Sequence, residues 1–417
     1  MLSLTAGIPS MQMMQFDVKT AFLNGDLQEE IFMKQPEGFD DETGRVCQLK
    51  KSIYGLKQSS LQWNKKFHSF LARYGLTRSE ADHCIYVKRD NNVIIMLSIY
   101  VDDGLLCCNN KTVMSHLLSD MRKEFEITSS EPSRFVGIEI ERNENGEVSI
   151  HQKHYIEKVL QRFNMSDCKP CVTPAAPSVK LSKAMCPQSQ EERDQMKDVP
   201  YRSAVGSLMY AAVVSRPDIA FIVSRVAKFV DNPGPQHWTA VKRIFRYLKG
   251  TTDRKITYTR GNNQITGWCD ADWAGDEDER KSKTGFVFML NGGPITWSSR
   301  TQSSVAQSTL EAEYYAMGDA AKESIWLRQL LSDLNFPQTE PTVIRGDNEG
   351  ALKLVVNPEF HSRTKHIDVR CHMIRDQVER KDIRFEYVRT ESQTADALTK
   401  AVSAPQLNNC LDRLHMK

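Results

Sequence analysis

Apolar and polar positions follow two rhythms along this chain, and the rhythm changes twice. Through residues 1–165, strand-like apolar runs such as Val93–Tyr100 alternate with segments whose apolar residues recur every three or four positions. Leu61–Tyr74 and Val113–Phe125 are of this second kind, which predicts mixed strand and helix. Periodicity stops at Cys168–Lys197, a stretch rich in Pro, Ser and charge that reads as a long connector. Between residues 200 and 250 the helical spacing returns. Pro235–Gly250 carries Trp238, Val241, Ile244, Phe245 and Leu248 on one face, with Gly250 in the place of a C-terminal cap.

From Ile265 the pattern resets. Strands are predicted at Ile265–Asp270, Gly285–Leu290 and Ile295–Ser299, then a long helix at Leu310–Leu334. A strand (Thr342–Gly346), two helices (Glu349–Val356 and Thr364–Arg380), a strand (Arg384–Arg389) and a short helix (Thr394–Thr399) complete the series. No internal repeat interrupts it.

Composition narrows the class without choosing a function. A chain of 417 residues with 40% hydrophobic and 26% charged residues predicts two or three packed domains, at about 150 residues each. The longest apolar run, Leu208–Val214, is far short of the ~20 residues a membrane span needs. The N-terminal residues lack the basic leader and apolar core of a secretory signal. Ten cysteines without framework spacing predict reduced thiols, and Cys168-Lys-Pro-Cys171 is a lone pair with no second pair to complete a zinc site. The net charge of +2 gives no global case for a polyanion partner, so any such case rests on local patches.

The chemistry begins where carboxylates interrupt apolar sequence. Asp102 and Asp103 break the run from Val93 to Cys108, and an unpaired buried carboxylate is expensive. Two readings fit: an Asp-Asp-Gly hairpin turn chosen for its geometry, or a pair holding something positive. Asp17, at the end of a short strand after Met13-Met14-Gln15-Phe16, adds a third acid. Three converging carboxylates would suit Mg²⁺ and two-metal phosphoryl transfer.

The segments FDVKTAFLNGDLQEEIFMKQPEGF, LKKSIYGLKQSSLQW and IYVDDGLL resemble the palm motifs of reverse transcriptases from copia-type LTR retrotransposons, and the likeness continues through YRSAVGSLMYAAVVSRPDIAF and VKRIFRYLKGT. The resemblance implies Asp17, Asp102 and Asp103 as metal-binding acids. It implies Phe22 as an aromatic that crowds the sugar 2′ position, against a plain core aromatic, and Lys57, Gln58 and Tyr100 as neighbours of template and nucleotide.

In the C-terminal part, Asp270 ends the first strand with Asp272 close behind, Asp347 ends a later strand, and Asp396 begins the last helix. On the long helix Glu313 aligns with Met317, Ala320, Leu327 and Leu331 and is expected to face the sheet. Glu311 shares a different face with Tyr315 and Lys322. This order of acids, with WCDADWAGDEDERKSKTGFVFML, SSVAQSTLEAEYYAMGDAAKESIWL and GDNEGALKL, resembles the copia-type ribonuclease H domain. The resemblance implies Asp270, Glu313, Asp347 and Asp396 as catalytic acids holding two Mg²⁺ or Mn²⁺ ions, with an RNA–DNA hybrid as substrate.

The whole is then an α/β (α+β) chain. Residues 1–165 form a palm with a YVDD hairpin and truncated fingers, 166–260 a connector with thumb-like helices, and 261–417 a ribonuclease H-like mixed five-stranded sheet with flanking helices. The partners implied are RNA template, DNA primer, hybrid and dNTPs, with no membrane. A homodimer or association with other Pol or Gag products is admitted too, in a cytoplasmic particle with a nuclear phase.

Lys242, Arg243, Arg246 and Lys249, with Arg254 and Lys255, form a basic patch expected to track phosphates, against a merely solvated helix face. His361, His366 and His372 are expected on a helix face touching nucleic acid, against a metal cluster.

Four features depart from the family: only sixteen residues precede Asp17, Ser60 and Leu61 stand where Pro and Arg are usual, ITSSEPSRFVGIEI lacks the usual Leu-Gly turn, and Ala401 replaces a common Pro. They imply a partial or decayed copy with an incomplete polymerase half. The alternatives left open are an inactive domesticated fragment that binds nucleic acid and a structural subunit.

Overall fold

The computed structural model describes residues 1–8, 10–90, 92–356 and 368–417. Two compact units are present. The first comprises Ser10–Val136 with Leu330–Pro337, and the second comprises Gly137–Gln329 and Gln338–Lys417 with the N-terminal helix Leu2–Gly7. Each is described by itself.

In the first unit, β1 (Gln12–Val18) lies within a six-stranded antiparallel sheet. A small hairpin, β2 (Asp26–Lys34) and β3 (Val46–Lys51), stands outside that sheet. Helix α1 (Ser59–Arg73) follows, then β4 (Thr77–Arg78), β5 (Ile85–Asp90), β6 (Val93–Tyr100), β7 (Asp103–Cys108), α2 (Lys111–Glu124) and β8 (Ile127–Ser130). The strand order is β4-β5-β6-β7-β1-β8.

Helix α1 forms because Trp63, Phe67, Phe70 and Leu71 recur at helical spacing. They bury against Phe16, Leu97 and Leu106 of the sheet and Met121 of α2. Helix α2 starts at Asn110, whose side chain accepts the Thr112 and Val113 N–H groups.

The second unit holds β9 (Ile138–Arg142), β10 (Val148–His151) and α3 (Lys153–Arg162), then the helices α4 (Tyr201–Val214), α5 (Pro217–Ala227) and α6 (Pro235–Lys249), and β11 (Ile256–Tyr258). The expected connector is mostly irregular but contains a short helix, Gln190–Met196, closed by a Ser189–Glu192 capping box.

The three helices pack around a buried ion pair. Arg216 donates to both Asp218 oxygens (2.9 and 2.7 Å) and to the Thr251 carbonyl (2.9 Å), and Tyr247 donates to Asp218 (2.7 Å). Gly250 ends α6 with φ −80°, so it is not a left-handed cap. What its missing Cβ spares is crowding, since that atom would stand 3.1 Å from Pro170.

Next come β12 (Thr266–Asp272), β13 (Lys283–Leu290), β14 (Gly293–Thr301), α7 (Thr309–Asp333), β15 (Thr342–Gly346), α8 (Glu349–Val356), α9 (Asp368–Glu379), β16 (Ile383–Tyr387), α10 (Asp396–Thr399) and α11 (Ala404–Arg413). The strand order is β14-β13-β12-β15-β16, antiparallel among the first three and parallel thereafter. This is the ribonuclease H-like mixed five-stranded sheet expected of this region.

Several boundaries differ from expectation. The first strand runs on to Asp272, the last stops at Tyr387, and the predicted Thr394–Thr399 helix begins only at Asp396 as α10, after a separate 3-10 turn at Thr390–Ser392. Helix α11 adds to the expected elements, and Ser403 and Gln406 form a capping box at its start with Pro405 in its first turn. Among the described residues no helix is long and apolar enough to cross a membrane.

Candidate functional site

Two carboxylate centres are present, one in each unit. In the first, β1 and β7 pair so that Asp17 lies directly opposite Asp103. The β6–β7 connection is a two-residue turn of Val101 and Asp102 between the paired Tyr100 and Asp103, so Asp103 belongs to a strand and is not part of the turn.

Val101 has φ +58°, an uncommon conformation for a β-branched residue. The turn is pinned from both sides. Trp63 Nε1–H donates to the Val101 carbonyl (2.6 Å) and Val18 N–H donates to the Asp102 carbonyl (2.9 Å). Gly104 sits in the strand rather than the turn. A Cβ there would stand 2.0 Å from Phe16 Cζ, so glycine lets the two central strands close over that ring. Burial, then the charges of Asp102 and Asp17, raise the Asp103 pKa.

Phe22 lies in a 3-10 turn, Ala21–Asn24, packed on the core with its ring 4.7 Å from that of Tyr54. Lys57 is exposed, Gln58 is half-buried at the start of α1, and Tyr100 is exposed beside the turn.

The second centre is tighter. Asp270 comes from β12, Glu313 from the second turn of α7, and Asp347 from the residue after β15. One carboxylate oxygen of each lies within 4.8 Å of the others, the one such group among the described residues.

Asp270 and Glu313 are buried. Burial, then Asp396, pushes Asp270 well above the usual carboxylate range; burial, then Asp270 and Asp347, does the same to Glu313. Asp396, the first residue of α10, is not in the group within 4.8 Å but lies near enough to raise Asp270, and it pairs with Lys400 (2.9 Å).

Local packing positions these acids. Gly285 is cross-strand from Asp270, and a Cβ there would lie 2.7 Å from Thr399 Cγ2. Its absence admits α10, so that the Thr399 hydroxyl donates to Asp270. Thr390 donates to Asp347 (2.8 Å), and Gln393 Nε2 donates to the Cys269 carbonyl (2.9 Å). The sequence carried a signal for Lys400 in its i,i+4 spacing from Asp396; Thr399, Gln393, Gly285 and Trp63 act only through tertiary contact.

Glu311 shares its face with Tyr315 as expected, but that face is not turned away from the interior. Glu311 is buried, accepting from the Tyr315 hydroxyl (2.7 Å) and the Gln307 N–H (2.7 Å). Helix α7 is enclosed on every side from Glu311 to Ala321, so it has no solvated face there.

The basic patch divides. Lys242, Arg243 and Arg246 line a cavity, whereas Lys249 is exposed at the helix end. Arg254 pairs with Asp218, Lys255 with Glu141, and Asp253 with Lys153, so those residues belong to structural pairs and not to a track. His361 and His366 lie outside the described residues; His372 is on α9, and its side chain lies outside them as well.

An all-oxygen, converging donor set with two of its three acids buried suits a hard divalent cation such as Mg²⁺ or Mn²⁺.

A family described as reverse transcriptase (RNA-dependent DNA polymerase) matches residues 2–177. The retrovirus-related Pol polyprotein from transposon TNT 1-94 of Nicotiana tabacum is 45% identical over 421 residues, covering 100% of this chain and 32% of its own length. This chain thus spans about a third of that relative. A putative transposon Ty5-1 protein of Saccharomyces cerevisiae is 31% identical over 313 residues, covering 74% of this chain and 99% of its own. Among solved structures, the foamy viral protease-reverse transcriptase in complex with RNA/DNA hybrid aligns with TM-score 0.52 and 12% identity, over 93% of this chain and 45% of that one. At that identity the likeness speaks for the fold alone.

Proposed function

The chain belongs to the copia-type retrotransposon Pol family, and on that premise we propose that it carries two phosphoryl-transfer centres. One is an RNA-directed DNA polymerase palm using Asp17, Asp102 and Asp103. The other is a ribonuclease H centre using Asp270, Glu313, Asp347 and Asp396 to cut the RNA strand of an RNA–DNA hybrid.

One observation carries the reading. Carboxylates from three separate segments converge within 4.8 Å inside the second unit, where uncompensated negative charge is costly. Two Mg²⁺ or Mn²⁺ ions held there would supply an activated water and neutralise the leaving 3′ oxygen. The chain's own groups hold the oxygens in place: Thr399 on Asp270, Thr390 on Asp347, and Lys400 balancing Asp396.

In the palm, Phe22 beside Tyr54 is the proposed gate against ribonucleotides, and Lys57, Gln58 and Tyr100 the neighbours of RNA template, DNA primer and dNTP. Lys242, Arg243, Arg246 and Lys249 are the proposed phosphate contacts. The functional division proposed is 1–165 for the palm, 166–260 for the connector and helices, and 261–417 for ribonuclease H.

The test uses the purified chain on a labelled hybrid and on a primed RNA template, with Mg²⁺, Mn²⁺ or chelator. Asp347→Asn is expected to abolish hybrid cutting, and Asp103→Asn primer extension, each with the fold retained. Wild-type protein inert in both assays overturns the proposal in favour of an inactive nucleic-acid binder or structural subunit.

A further inference from the structure

Within the second unit is a cavity of about 860 Å³ whose lining includes Asp272 and Lys400, the neighbours of the Asp270 centre. Its walls are chemically unequal. One part is apolar, built by Pro174, Ala175 and Pro177 of the connector with Phe221 and Ile222 of α5. Another is cationic, built by Lys242, Arg243 and Arg246 of α6, none of which is in a salt bridge among the described residues.

Arg243 donates to Thr173 Oγ1 (2.8 Å) and Arg246 donates Nε–H to the Lys169 carbonyl (2.7 Å). The connector therefore orients both guanidinium groups while leaving part of each fork for another acceptor. The acids on the lining do not cancel this charge. Glu277 is taken up by Lys180 (2.9 Å), and Asp272 is faced by the charges of Arg225 and Lys400.

Trp273 adds a flat surface. Its indole is 47% exposed and fixed by a hydrogen bond from Nε1 to the Ala306 carbonyl (3.1 Å).

A paired duplex presents phosphates and sugars outward and would leave the apolar wall facing charged groups. Unpaired nucleotides match both walls, with bases on apolar and aromatic surface and phosphates on the cations. The volume falls in the range that encloses a drug-sized ligand, about one or two nucleotides, and is too small for paired strands.

We infer that this cavity binds a short unpaired stretch of polynucleotide continuous with the strand handled at the Asp270 centre. The inference deepens the ribonuclease H reading and rests on it for the identity of that strand.

The experiment compares a blunt RNA–DNA hybrid with one carrying a single-stranded RNA tail, by fluorescence anisotropy in chelator and by cleavage in Mg²⁺ or Mn²⁺. The tailed hybrid is expected to bind roughly tenfold tighter. In Trp273→Ala and Lys242→Glu, each checked for native circular dichroism, the tailed-to-blunt ratio is expected to fall to about one. The log–log salt slope should fall by about one in Lys242→Glu.

Equal binding of tailed and blunt hybrids by the wild type, or a ratio that survives in both folded variants, overturns the inference. A retained tail preference without cutting of either hybrid upholds the cavity and sinks the ribonuclease H reading instead.

Discussion

Glu311 and Glu313 stand two residues apart on one buried helix, and neutralising them is expected to change stability in opposite directions. Glu313 sits in the triad, where carboxylate oxygens lie within 4.8 Å of one another; two full charges at that limit repel by roughly 3 kcal/mol at an effective dielectric constant of about 20. Burial and this repulsion raise the pKa of Glu313 in the folded, metal-free protein above its ordinary 4.5.

The native state therefore keeps a proton that the unfolded chain has released. By linkage, its stability is greatest below the ordinary value and declines as pH rises through the raised native one. Glu313→Gln removes that penalty and is expected to add about 1–3 kcal/mol to metal-free stability at pH 8. For a unit of this size that is an increase of about 2–5 °C in Tm.

The gain should shrink as pH falls and vanish only below the ordinary value of 4.5, where the wild-type carboxyl becomes protonated in both states. Mg²⁺ at about a thousand times Kd should reverse the order, since only the intact triad gains the resulting stabilisation of about 4.1 kcal/mol. Glu311→Gln disturbs a satisfied acceptor of the Tyr315 and Gln307 hydrogen bonds and should cost about 1–2 kcal/mol with or without Mg²⁺. The assay is differential scanning calorimetry of both variants from pH 4.5 to 8.5, in chelator and in Mg²⁺. A Glu313→Gln protein that melts below wild type in chelator at pH 8, or a difference that ignores pH, would refute the electrostatic account of the centre.

Asp218→Ala would leave the Arg216 guanidinium fully buried with only the Thr251 oxygens, and urea unfolding should register a loss of about 3–5 kcal/mol. Gly285→Ala places a methyl 2.7 Å from Thr399 Cγ2 and should cost about 1–3 kcal/mol while displacing α10 from Asp270, so hybrid cutting falls much further than Tm implies. Trp63→Phe removes the donor to the Val101 carbonyl; primer extension should drop while cutting at the other centre is unchanged, and equal loss of both would argue against a role for that hydrogen bond. Phe22→Ala should let ribonucleotides compete in primer extension, and an unchanged dNTP preference would return Phe22 to the core.

Local pattern was enough for much of this. Hydrophobic spacing located α1, α2, the helical character of residues 200–250 with α6 placed within it, and most strands of the C-terminal sheet, because each buries one stripe or face and side-chain period follows backbone geometry. The acids were legible too, since a charge ending an apolar strand is anomalous wherever the strand lies.

What failed did so where one segment's meaning depends on another. Glu311 reads as a solvated helix position only if the helix has a wet side, and α7 has none there. Gly104 and Gly285 look like turn or strand-weakening residues, yet each is set by a side chain from elsewhere in the chain, Phe16 for one and Thr399 for the other. Arg254 and Lys255 looked like part of a basic track until Asp218 and Glu141 arrived from other elements to neutralise them. The sequence by itself determined which residues could carry charge into the interior. Only the tertiary structure decided which charges meet, because Coulomb energy and steric exclusion depend on distance through space and not along the chain.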